Sequence, residues 1–243
     1  MAVDQSVAAL RPDPVSHMAG LHAAALAGPG GRLARDTRIE TPAGPRLLRD
    51  LRIGEMVETQ DRGPQEILWI GRSRISREEL EAAPDRRPVR IRRGALGPGL
   101  PRRDLVVAPE HRLALSHPAL LRHCRSATVL FPALALADGR GISALPPNRG
   151  WTFLQLLLPH HALLLAEGCA SESLPGAEAR DAGGALPVRL DGLPVAQAGP
   201  PLPAPALAEA RRLWAELCAR RPGRGAPALQ TQSRRNRPQG LRG

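Results

Sequence analysis

The sequence predicts an all-β body, on three observations. Short runs rich in Val, Ile, Leu and Thr recur between residues 37 and 166. Turn residues separate them: Gly and Pro number 24 and 26 of 243 residues, about one residue in five where roughly 12% is usual. Only two segments carry a helical period. Many short strands with frequent turn signals point to a β body.

The strands are read in order. Thr37–Thr41 is short and alternating, and Pro42-Ala43-Gly44-Pro45 turns the chain into Arg46–Leu48. Gly54–Thr59 is the next strand, Asp61-Arg62-Gly63-Pro64 a turn, and Gln65–Ile70 the returning strand. Ser76–Ala83 reads as a short helix ending at Pro84, since the residue before a proline is pushed out of the helical region. Further strands are Pro88–Arg92, Asp104–Val107, His111–Leu115, Ala127–Phe131 and Leu163–Ala166. Gly94, Gly97 and Gly99 form a turn. A dinucleotide-binding glycine motif would need a helix after it, and Pro98 and Pro101 forbid one.

Residues 1–30 are expected to be a flexible leader, 31–176 the folded domain and 177–205 a Pro/Gly-rich linker. A short helix is expected over 206–221, because Leu207, Ala210, Trp214 and Leu217 lie on one stripe. Its default role is docking on the body. Residues 222–243 form a basic disordered tail.

All 34 basic residues are Arg, and the formal net charge is +11. More than half of that charge falls after Pro203. Nucleic-acid association through the tail is one reading, with phosphate contacts and salt-dependent affinity. The tail after Pro222 holds no aromatic side chain for base stacking, so weak, non-specific nucleic-acid or anion binding is the expectation. Aromatics are 2% of the chain and Tyr is absent, so the core must be Leu, Val, Ile and Ala.

Cys124, Cys169 and Cys218 are too far apart for a CxxC site. His111, His117 and His123 recur every six residues beside Cys124, but this is not metal-ligand spacing on a helix or turn. No metal or other cofactor is expected. Ser171 and Ser173 flank Glu172 without a nucleophile elbow. His161, after Pro159-His160, is expected to be structural. A dyad of His111 and His161 with an unidentified nucleophile is the weaker reading. The Leu154–Ala166 stretch is apolar but broken by Gln155, Pro159, His160 and His161, so no membrane span is expected. Asp4 precedes any apolar run and no signal peptide is seen. The expected location is the cytoplasm, with a signal-independent export route left open.

The order of motifs resembles a known family. Asp36-Thr37-Arg38-Ile39, Thr41-Pro42-Ala43-Gly44 and Leu48–Thr59 are similar to the opening of a Hint domain, the self-processing module of Hedgehog proteins and inteins. Asp61–Gly71 resembles the next hairpin of its bacterial subfamily. Arg92–Gly97 with Asp104–Arg112 resembles the central histidine segment. Phe131-Pro132-Ala133 and Ala166–Ser173 resemble later segments. The resemblance covers about residues 31–176 and implies a horseshoe-like fold of short strands.

In that family a Cys or Ser opening the domain attacks the preceding carbonyl. A Thr or Ser and a nearby His help the amide leave, because an amine departs poorly without a proton donor. Carried onto this sequence, the nucleophile position falls on Arg32, the Thr position on Ala108 and the histidine on His111; Asp36 stands where Gly is usual. The resemblance therefore implies a degenerate Hint domain, inactive in self-cleavage and not an enzyme. It would act as a structural or interaction module with an unknown protein partner. Residual autoprocessing is the alternative: peptide-bond cleavage through an acyl intermediate, centred on a vestigial His111. Splicing would need a terminal Asn, and the only Asn after Glu167 is Asn236 in the tail.

Overall fold

The computed structural model describes residues 31–97, 99–175 and 202–219. The expectations for the leader, for the linker as far as residue 201 and for the basic tail lie outside the described residues. The body is built of strands, as its patterning predicts.

One sheet has the order β11 (Ile142–Ala144), β7 (Val89–Ile91), β8 (Leu105–Val107), β1 (Leu33–Ala34), β12 (Trp151–Leu157) and β6 (Trp69–Ile75). The other runs β10 (Thr128–Pro132), β9 (Arg112–Ser116), β14 (Cys169–Glu172), β13 (Leu163–Ala166), β2 (Arg38–Ile39) and β3 (Arg46–Leu47). Beside it, β4 (Met56–Thr59) pairs with β13 and with β5 (Gly63–Glu66). The strand pairs are antiparallel.

Gln65–Ile70 is not one strand. The chain passes from one sheet to the other at Ile67–Leu68. Ile67 N–H donates to Glu55 O over 2.9 Å, whereas Leu68 N–H donates to Leu157 O over 2.9 Å. Buried Ile67 anchors the crossing. Four strands are additions to the sequence reading: β1, β11, β12 and β14. In β12, Phe153, Leu154, Leu156 and Leu157 are all buried, so the strand lacks the alternation of a half-exposed one. All four residues of β14 are buried, including Ser171 and Glu172. Its polar composition hides that burial.

The β13–β14 hairpin turns through Glu167 and Gly168, both at positive φ (47° and 82°). Such two-residue turns match strand twist and favour Gly. Helix α1 (Arg77–Ala82) starts in a capping box: Ser76 Oγ accepts from Glu79 N–H, and Glu79 Oε2 accepts from Ser76 N–H. A single helical turn, α2 (Leu121–Cys124), follows β9.

Helix α3 (Leu207–Ala219) docks on the body. Ala210, Leu213, Trp214 and Leu217 are buried and belong to the main core with Leu33, Phe131, Leu136 and Leu154. Phe131 and Trp214 meet edge to face, ring centres 6.4 Å apart at 62°, a favoured aromatic geometry. His123 Nε2 lies 3.4 Å from Glu216 Oε2 across the same contact. No helix of the described residues is long and apolar enough to cross a membrane.

Candidate functional site

Strand β1 lies between β8 and β12, with Leu33 opposite both Val107 and Leu154. That pairing carries the residue before it inward. Arg32 is 2% exposed, and its carbonyl accepts from Ala108 N–H over 3.1 Å. Its guanidinium Nη1 donates to Glu110 Oε1 over 2.7 Å. Burial pushes the Glu110 carboxyl above its ordinary range, and the positive charge of Arg32 works against that.

After β8 the chain makes a turn over Ala108–His111, in which His111 N–H donates to Ala108 O over 3.1 Å. Pro109 presets the turn backbone. The turn is clamped to the segment after β10: Ala133 N–H donates to His111 O, and Leu134 N–H to Pro109 O, over 2.8 and 2.9 Å. The imidazole of His111 is fully buried. Among the described residues neither ring nitrogen has a hydrogen-bond partner. Burial, with Arg112 adding to it, pulls its pKa down to about 3. His111 is therefore neutral near pH 7 and can donate one ring N–H.

A small cavity of about 30 Å³ lies here, lined by Arg32, Ala108, Glu110 and Phe153 among others. The Ala108 side chain supplies only a methyl group to it. Gly31 has a φ of +23°, and a Cβ there would come within 2.9 Å of Glu172 O and 3.0 Å of Ser173 C. The Gly31–Arg32 junction is thus packed against the end of β14, where only glycine fits.

Next to it lies a buried charge cluster. Arg112 Nη1 is 3.2 and 3.4 Å from the two oxygens of the fully buried Glu172. His161 Nε2 lies 3.1 Å from Glu172 Oε1, off the axis that a hydrogen bond requires. Ser173 Oγ accepts from Ala162 N–H over 3.0 Å, whereas Ser171 Oγ is buried with no hydrogen-bond partner among the described residues.

The structure thus sets the Arg32 main chain beside Ala108, and the turn joins Ala108 to His111, whose ring does not line the cavity. The histidines spaced by six diverge: His117 Nδ1 accepts from Ala119 N–H over 3.1 Å, and His123 faces α3. Asp36 stands outside the site, exposed and ion-paired with Arg49. Cys169 is buried, and burial pushes its thiol up to about 12, with Glu167 adding to the effect. Such a thiol is no nucleophile near neutral pH. Sequence reasoning missed Glu110 as the partner of Arg32, and the Arg112–Glu172 pair. The available signal was an acid within a segment already singled out for His111.

Several solved structures are similar in shape. The bacterial intein-like domain of Clostridium thermocellum is 9% identical, with a TM-score of 0.41, over 59% of this chain and 98% of that one. The MchDnaB-1 intein is 12% identical, with a TM-score of 0.38, over 58% and 98%. The gp41-1 intein is 16% identical, with a TM-score of 0.35, over 58% and 98%. A comparison with curated protein sequences returns no match. The model of one family, described as the Hint domain, matches residues 32–177, more than half of the sequence. This chain belongs to the Hint domain family.

Proposed function

We propose that this Hint domain no longer cleaves itself and serves as a structural or interaction module. One observation carries the reading: at the position the resemblance assigns to the nucleophile stands Arg32, buried and paired with Glu110. A guanidinium stays protonated and offers no lone pair for attack. The ion pair commits the side chain at this position to Glu110. Ala108 provides no hydroxyl to polarise that carbonyl. His111 alone keeps the residue type that the chemistry requires. A proton donor without a nucleophile breaks no peptide bond.

The test is the mass of the purified full chain, fresh and after days with dithiothreitol or hydroxylamine. One intact species is expected. A fragment ending at Gly31 would overturn the reading in favour of residual autoprocessing.

A further inference from the structure

We propose that the outer edge of strand β6 is a docking site for an extended, acidic segment of a partner protein, which adds to the sheet as a further strand. The inference deepens the interaction-module reading and rests on it.

β6 ends its sheet, with β12 on its inner side. The register decides which main-chain groups face out. Arg35 N–H donates to Thr152 O over 3.2 Å, so Thr152 points its main chain toward β1. Antiparallel alternation then turns Trp151, Phe153, Gln155 and Leu157 toward β6. They lie opposite Ile75, Ser73, Gly71 and Trp69. Ile70, Arg72 and Arg74 therefore turn their N–H and C=O groups outward. Among the described residues no strand or loop pairs with that side.

The molecule treats its other long edge differently. β10 ends the second sheet, and Leu130 N–H donates to Pro203 O over 2.8 Å. The segment leading into α3 thus covers that edge. Open edges invite pairing with another chain, and β6 is the longer of the two, at seven residues.

Charge selects the occupant. Arg72 and Arg74 are exposed, and neither forms an ion pair among the described residues. A second copy would bring like charges face to face, which opposes pairing. An acidic strand would neutralise both. At its Ile75 end β6 borders, together with β12 and α1, a groove of about 540 Å³ lined by Arg74, Arg77, Trp151 and Thr152 among others. The Arg149 guanidinium lies 4.4 Å over the Trp151 ring. Glu78 and Glu79 line the α1 side of the groove, so the acidic residues of the partner belong along Arg72 and Arg74, away from α1.

The experiment uses the full chain and a fluorescein-labelled peptide of alternating Glu and Val. Anisotropy should show saturable binding at low salt. Hydrogen exchange should slow at the amides of Ile70, Arg72 and Arg74. The R72E/R74E variant, checked for folding by circular dichroism, should bind about tenfold more weakly. Arg72→Pro removes one outward N–H without touching the ladder to β12, and should weaken binding while Arg74 keeps its charge. Absence of saturation up to about 1 mM, protection elsewhere on the chain, or binding by both variants as tight as that of the unaltered chain overturns the proposal. The mass of the same samples separates the two readings: a cleaved chain that binds overturns only the non-cleaving reading, and an intact chain that does not bind overturns only this one.

Discussion

The Arg32 guanidinium donates to the Glu110 carboxylate over 2.7 Å across the mouth of the candidate site. The arginine is buried, and the carboxylate is about one-third exposed, at 31%. A charge this deep needs its partner, because a cation taken out of water is costly unless it is compensated. Glu110→Ala should therefore destabilise the fold by about 1–3 kcal/mol, below the roughly 3–5 kcal/mol for breaking a fully buried pair because Glu110 retains some solvent. Replacing both residues, Arg32→Met with Glu110→Leu, should restore most of that loss. Urea unfolding of the unaltered chain, Arg32→Met, Glu110→Leu and the double variant measures the coupling. A double variant as unstable as Glu110→Ala would show that the pair is not the cause.

His111 makes stability depend on acid. Its folded pKa is held near 3, below the ordinary 6.5. The unfolded chain therefore binds the proton more readily than the folded one. The stabilising contribution is complete above pH 6.5 and is lost as the pH falls toward 3, at up to about 1.4 kcal/mol per pH unit. Urea midpoints at pH 7, 6, 5 and 4 should fall accordingly. His111→Gln should flatten that part of the profile. An unchanged slope in His111→Gln would place the acid sensitivity elsewhere.

Trp214 ties the C-terminal helix to the β body. It is buried against Phe131 within the main core. Trp214→Ala should cost about 3–5 kcal/mol, seen as a lower melting temperature of the strand signal itself. Its indole N–H has no hydrogen-bond partner among the described residues, so Trp214→Phe should cost less than about 1.5 kcal/mol. A Trp214→Ala variant whose strands melt unchanged would show that the helix adds nothing to the body.

The helix docking illustrates what was legible in the sequence. Leu207, Ala210, Trp214 and Leu217 advertised one apolar stripe; the last three are buried and Leu207 is exposed. The alternating strands were legible for the same reason: one buried face imposes a period of two. β12 and β14 were not, because residues buried on both faces lose that period. Motif order alone assigned Arg32, Ala108 and His111 to one candidate site. It could not assign their neighbours, since Glu110 meets Arg32 across 78 positions and Arg112 meets Glu172 across 60. Such pairings are set by sheet register rather than by local spacing. Asp36, which the resemblance sets where Gly is usual, is turned out to solvent and Arg49.

The same geometry says which substitutions should give the domain self-cleavage chemistry. Arg32→Cys supplies a thiol beside the Gly31 carbonyl, and Ala108→Thr a hydroxyl at the turn. With Arg32 gone, the Glu110 carboxylate would raise the pKa of the new thiol by like-charge repulsion and lower its thiolate fraction. Glu110→Gln removes that charge. Asp36 can stay, since it is exposed and ion-paired with Arg49. In the triple variant the sulfur attacks the Gly31 carbonyl, the carbon–nitrogen bond breaks, and the departing amine takes a proton from His111. A hydroxylamine-sensitive thioester at Gly31 should form, giving a fragment detectable by mass. The yield should be low, because a misplacement of about 1 Å costs roughly a hundredfold in rate. His111→Ala in that background should suppress the fragment further, and replacing Glu110→Gln by the native Glu110 should reduce it at pH 7 but less at pH 9. A folded triple variant that stays intact would show that more than three side chains separate this domain from self-cleavage. Cleavage indifferent to His111→Ala would remove His111 from the chemistry.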